Sequence, residues 1–141
     1  MIVYLVECGA NIDRCARLCD AFRVPISYVS CSSNPGAATQ RRMTVPWTAE
    51  DECPTGAEVL ALTPHASAMP ISLVAWDRVD SILVGNEKSG LPQDVIDGCT
   101  AARIPIYGEW HSLTIEQSLS IALWDWHRWM ASAEHAGVTL T

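Results

Sequence analysis

The chain has 141 residues, enough for one domain that buries roughly two-thirds of the surface its unfolded chain exposes, so neither disulfides nor a metal is needed to hold it. Sixteen acidic against nine basic residues give a net charge of −7, which argues against indiscriminate adhesion to nucleic acid, and no apolar run approaches the roughly 20 residues of a membrane span. Six cysteines without a C-x-x-C pair, and an N-terminal MIVYLVE that turns acidic too soon for a signal peptide, read as a reduced, cytoplasmic protein.

No repeat or linker divides the chain, so residues 1–141 read as a single domain. IVYLV at 2–6 is a continuous apolar run, as in a strand buried on both faces, and Asn11 is an N-cap for a helix running to about Phe22. Cys15 and Cys19 share a face of that helix. They read as buried and inert rather than as metal ligands, because no matching His or Cys pair stands elsewhere. ISYVS at 26–30 returns to strand character. Residues 31–57, rich in Ser, Pro, Gly, Thr and charge, read as one long loop around RRMTVPW. EVLAL at 58–62 is a strand ending at Thr63-Pro64, and SILV at 81–84 is another ending at Gly85. A short helix from Pro92 to Gly98 has proline in its first turn and glycine at its end. ARIPI at 102–106 reads as a fifth strand. The last element is a helix from about Thr114 to Ala133, in which Ile115, Leu119, Ala122, Trp126 and Trp129 form one apolar face.

Strands alternating with helices predict an α/β domain with a mainly parallel sheet flanked by helices. Ligands in such sheets lie beyond the carboxyl ends of the strands. Three strand ends therefore become candidates together: Leu62-Thr63, Gly85-Asn86-Glu87, and Ile104-Pro105-Ile106 with the loop to Leu113. The second holds GNEKSG, two glycines spaced as at the start of a phosphate loop. Gly90 is followed by Leu91-Pro92, however, so the lysine and hydroxyl of G-x-x-x-x-G-K-[ST] are missing and the phosphate reading fails. His111 beside Ser112 does not make a hydrolase, since adjacent residues seldom face each other and no G-x-S-x-G turn exists.

Charge is uneven. Residues 1–45 carry Arg14, Arg17, Arg23, Arg41 and Arg42 against three acids, whereas residues 46–141 carry four basic and thirteen acidic groups. A polyanion would meet the N-terminal part, with scattered solubilising arginines as the plainer reading.

ILVGNEKSGLP, followed by RIPIYGEWHSLTIEQSLSIAL, resembles the second and third motifs of the SpoU/TrmH family of SPOUT RNA methyltransferases, and NIDRCARLCDAFRV resembles the first, with Asn11 and Arg17 in register. The resemblance spans 11 to about 123. It implies a deep C-terminal trefoil knot and S-adenosyl-L-methionine as cofactor, held by Leu62, Thr63, Gly85, Asn86, Glu87, Gly90, Ile104, Pro105, Ile106, Ser112 and Leu113. It further implies RNA ribose 2′-O-methylation, most simply of tRNA with no appended RNA-binding domain; rRNA and a non-catalytic knotted binding module are the alternatives.

On the same resemblance, Arg17 engages the ribose and phosphate while Asn11, Glu87 and Ser112 orient it. Arg14, Arg41 and Arg42 join Arg17 toward RNA. Because a guanidinium stays protonated, a phosphate and alkoxide clamp stands beside the general-base reading of Arg17. Three positions depart from the family pattern: Asp13 and Arg23 replace glycines, and Thr114 replaces an asparagine. A homodimer is implied as well, with the last helix near the interface. There Trp124 points roughly 160° away from Trp126 and so toward a different surface.

Overall fold

A computed structural model describes residues 1–7, 12–30, 48–50, 52–86, 89–109 and 113–135. Among these residues, seven strands form one sheet: β1 (Ile2–Val6), β2 (Ile26–Val29), β3 (Thr48–Glu50), β4 (Gly56–Leu62), β5 (Met69–Pro70), β6 (Ser81–Val84) and β7 (Cys99–Arg103). Their order is β3-β2-β1-β6-β4-β7-β5, and every pairing is parallel. Three α-helices among the described residues accompany them, α1 (Ile12–Ala21), α2 (Gln93–Asp97) and α3 (Ile115–His135). None of the described helices is long and apolar enough to cross a membrane.

The all-parallel sheet explains the strand sequences. Helical crossovers cover both faces, so central strands need apolar residues at successive positions rather than at alternate ones. β2 and β6 are buried at all four positions, and the last four residues of β4 are buried too. One face packs Val3, Leu5, Ile26, Leu60 and Ile82 against Cys15, Ala16 and Cys19 of α1 and Leu119, Ala122 and Leu123 of α3. The other packs Val6, Val29, Val59, Ala61 and Leu83 against Leu91, with Val95 and Ile96 of α2 at its margin.

Cys15 and Cys19 are fully buried, as expected of inert thiols, and burial together with the neighbouring Cys15 pushes the Cys19 thiol up to about 12. Trp126 and Trp129 pack against the core from α3, while Trp124 is 59% exposed.

Two element readings need correction. The stretch 31–57 is not one loop: Thr48–Glu50 pairs with β2 as an edge strand, and β4 begins at Gly56. The fifth strand expected at 102–106 lies instead at Cys99–Arg103. Proline has no N–H to give a ladder flanked on both sides, so Pro105 cannot belong to β7, which pairs with β4 and with β5. The segment between β4 and β6 also carries structure the sequence did not announce. It forms edge strand β5 and two 3₁₀ turns, Ile71–Leu73 and Trp76–Arg78, the second anchored by Trp76 Nε1 donating to Asp125 Oδ2 of α3 at 2.8 Å.

The two helix-end departures from the family pattern, Arg23 and Thr114, differ in their local fit. α1 closes with Val24 N–H on the Cys19 carbonyl at 2.9 Å and Arg23 N–H on the Asp20 carbonyl at 3.0 Å, a pairing that requires a left-handed residue at Arg23, whose φ is +56°. Glycine takes that conformation freely, and here arginine takes it under strain. α3 opens with a reciprocal cap. Gln117 N–H donates to Thr114 Oγ1 at 3.2 Å, and Thr114 N–H donates to Gln117 Oε1 at 2.9 Å.

Candidate functional site

β6, β4 and β7 are neighbours in the sheet, and the segments leaving their carboxyl ends surround one cavity of about 450 Å³. Leu62, Thr63, Pro64 and His65 line it after β4. Val84, Gly85 and Asn86, with Ser89 and Gly90, line it after β6. Ala102, Ile104 and Ile106 line it after β7, and Leu113, Ile115 and Ser118 close it from the start of α3. The volume lies within the range of small-molecule sites, about 300–1,000 Å³.

The turn after β6 is tightly made. Gly90 N–H donates to the Asn86 carbonyl at 2.7 Å, and Asn86 Nδ2 donates to the Glu7 carbonyl at 3.0 Å, tying the end of β6 to the end of β1. A Cβ on Gly85 would lie 2.4 Å from the Leu91 nitrogen and 2.5 Å from the Gly90 carbonyl carbon. The glycine is thus required by the chain's own closure. Gly90 differs: its φ is +65°, and a Cβ there would meet nothing within 4 Å.

Of the residues expected around a cofactor, the cavity brings together Leu62, Thr63, Gly85, Asn86, Gly90, Ile104, Ile106 and Leu113. Pro105 is not among its lining residues. Glu87, Ser112 and Asn11 lie outside the described residues, as do Arg41 and Arg42. Sequence reasoning missed several other lining residues, among them Pro64, His65 and Ser118, which carry no motif signal of their own.

The arginines stand elsewhere. Arg14 and Arg17 are exposed on α1, and none of the described lining residues comes from that helix. Arg14 Nη1 lies 3.5 Å from Glu116 Oε1 of α3, a solvent-exposed pair that costs little to open toward another anion. Phe22 at the end of α1 meets the His127 ring edge-on at 5.8 Å, and His127 in turn lies 5.8 Å from Trp124.

The amino-acid sequence identifies the family. The sequence profile of the SpoU rRNA Methylase family matches residues 1–124. The chain belongs to that family. Among solved structures, one concerned with 2-OH methylation of C/U34 on tRNA has a TM-score of 0.74 at 21% identity, covering 92% of this chain and 95% of that one. The SpoU methyltransferase AviRb from Streptomyces viridochromogenes, in complex with AdoMet, has a TM-score of 0.74 at 16% identity, with 94% of this chain and 58% of that one covered. The A. aeolicus TrmH/SpoU tRNA modifying enzyme has a TM-score of 0.73 at 21% identity, over 96% and 76%. At these identities the likeness to this SpoU-family chain is one of fold. No curated protein matches it in sequence.

The cavity fits S-adenosylmethionine. Leu62, Val84, Ile104, Ile106 and Ile115 offer apolar walls for an adenine ring, while Thr63, Ser89 and Ser118 offer hydroxyls. Among the described lining residues there is neither Lys nor Arg, so none of these sets a permanent cation against a bound sulfonium.

Proposed function

We propose that this SpoU-family methyltransferase methylates a ribose 2′-hydroxyl of tRNA, using S-adenosylmethionine held in the cavity beyond β4, β6 and β7. The observation that carries the reading is the convergence of three strand-end segments on one cavity with apolar walls and neutral polar donors. The tRNA preference rests on the solved structure that this chain covers almost end to end.

The cofactor supplies an electrophilic methyl group. Walls made by Leu62, Ile104 and Ile106 exclude water from the adenosyl site, and Thr63 and Ser118 offer hydrogen bonds that fix a ligand's orientation. Arg17 holds the RNA phosphate bidentately and stabilises the negative charge that develops on the ribose oxygen as its proton leaves. Asn11, Glu87 and Ser112 orient that arrangement, and Arg14, Arg41 and Arg42 extend the contact along the RNA backbone. Because no described lining residue comes from α1, Arg17 is read as reaching the reacting ribose from a second copy of the chain. The homodimer places α1 and α3 at the contact. Supporting it, Ile121 (39% exposed) and Trp124 (59%) stand three residues apart on one face of α3.

The trefoil knot belongs to the same proposal. Its support is that α3, which starts after β7, crosses back to α1 on the far side of β6 and β1. A crystal structure tracing 84–115 with α3 outside the turn after β6 would contradict it.

The reading is tested by incubating the protein with tritiated S-adenosylmethionine and either bulk tRNA or ribosomal RNA, then digesting with alkali. Label in alkali-resistant dinucleotides from tRNA is the expected result. Label only from ribosomal RNA would move the substrate. Cofactor binding without transfer to either RNA would favour the non-catalytic module.

A further inference from the structure

The loop that carries the β4 chain into the cavity, residues 63–68, is folded on itself. Thr63 N–H donates to the Ala102 carbonyl at 3.0 Å, His65 N–H to Thr63 Oγ1 at 3.3 Å, and Ala68 N–H to the His65 carbonyl at 3.0 Å. Arg103 Nε holds the Ala68 carbonyl at 3.0 Å from β7. The loop is therefore organised before any ligand arrives.

His65 is oriented within it by Ser67. Ser67 N–H donates to His65 Nδ1 at 3.2 Å, and Ser67 Oγ lies 2.7 Å from the same nitrogen. Since Nδ1 accepts, the neutral ring carries its proton on Nε2. Nε2 has no hydrogen-bond partner among the described residues, and His65 lines the cavity.

No Lys, Arg, Asp or Glu occurs among the described lining residues, so His65 is the one side chain among them able to carry positive charge. The amide of Asn86, another donor there, is already committed to the Glu7 carbonyl. The adenosyl end of the cofactor is neutral and suits the apolar walls; its amino-acid end carries a carboxylate that needs a strong donor.

We infer that His65 holds the carboxylate of the cofactor's amino-acid end through Nε2–H, and that Ser67 is the positioning residue that fixes its ring. The inference rests on the cofactor reading above. It is tested by calorimetric titration of the wild type, His65→Ala, His65→Gln and Ser67→Ala with two ligands. S-adenosylhomocysteine has the amino-acid end, and 5′-methylthioadenosine lacks it.

His65→Ala weakens S-adenosylhomocysteine by about tenfold or more while changing 5′-methylthioadenosine by less than about twofold, as for loss of a charge-assisted hydrogen bond. His65→Gln, which keeps a donor, recovers part of the loss. Ser67→Ala gives a smaller loss, of roughly threefold, again only for S-adenosylhomocysteine. Unchanged binding of S-adenosylhomocysteine by His65→Ala, or equal losses for both ligands, overturns the assignment. A wild type that binds 5′-methylthioadenosine but gains nothing from the amino-acid end overturns it while leaving the cofactor cavity standing. Absence of heat with either ligand in the wild type removes the cofactor reading and the inference together.

Discussion

The cavity beyond β4, β6 and β7 and the outer faces of α1 and α3 are organised in opposite ways. Around the cavity, backbone closes on backbone: Gly90 on Asn86, Thr63 on Ala102, and Gly85 within a Cβ's reach of Leu91. On the helices the residues proposed to act are long exposed side chains, Arg14, Arg17 and Trp124, whose positions are set by helical spacing and a few surface contacts. A site of the first kind is shaped before its ligand binds. A site of the second kind is completed by what docks on it, which in the proposed function is RNA and a second chain. The two should therefore fail differently when mutated, the first through the fold and the cofactor, the second through transfer and assembly.

The largest effect is expected at Gly85. Gly85→Ala places a methyl group against backbone atoms at 2.4 and 2.5 Å, and we expect a loss of about 3 kcal/mol or more in denaturant unfolding, with S-adenosylhomocysteine binding abolished. Gly90→Ala is the internal contrast. It meets no atoms and suffers only the left-handed strain, about 1–2 kcal/mol. Equal losses at the two positions would break the claim that Gly85 closes the turn on itself.

Arg17→Ala should do the reverse. Cofactor affinity stays within about twofold and methyl transfer falls at least about a hundredfold, as for removal of a group that acts in the transition state. Arg17→Lys should recover little, because an ammonium cannot make the two-pronged contact. A fully active alanine variant would remove Arg17 from the chemistry.

Trp124→Glu sharpens the same division at the level of assembly. Sedimentation at about 50 μM should show a dimer for the wild type and a monomer for the variant, with cofactor binding kept and transfer lost. A monomeric, active wild type would contradict the assembly.

The smallest effect concerns the cap of α1. Arg23→Gly should raise stability by about 0.5–1 kcal/mol, the relief of left-handed strain less the added freedom of the unfolded glycine, without altering transfer. A destabilised variant would mean that the Arg23 side chain contributes more than its backbone costs.

These contrasts also explain what the sequence made legible. Continuous apolar runs such as IVYLV and SILV announced central parallel strands, because burial on both faces leaves no room for alternation. The strand-end rule then drew Leu62, Gly85 and Ile104 into one place without any side-chain signal. Short edge strands such as Thr48–Glu50 and Met69–Pro70 were not legible, since two or three residues carry no period. The strand expected at 102–106 overran β7 because Ile104 and Ile106 are apolar where they line a cavity rather than a strand. Thr114 shows a signal passed over: Thr-x-x-Gln spells a reciprocal cap, which accounts locally for threonine where the family pattern has asparagine. His65 gave no signal at all, because its orientation depends on Ser67 and its place at the cavity on the sheet order.

The account stands on the cavity, and isothermal titration of the wild-type protein with S-adenosylhomocysteine tests it most directly. A single-site isotherm with a dissociation constant in the low micromolar range, about 7 to 8 kcal/mol, is the predicted result. No heat at ligand concentrations up to about 1 mM, in protein that unfolds cooperatively, would contradict it.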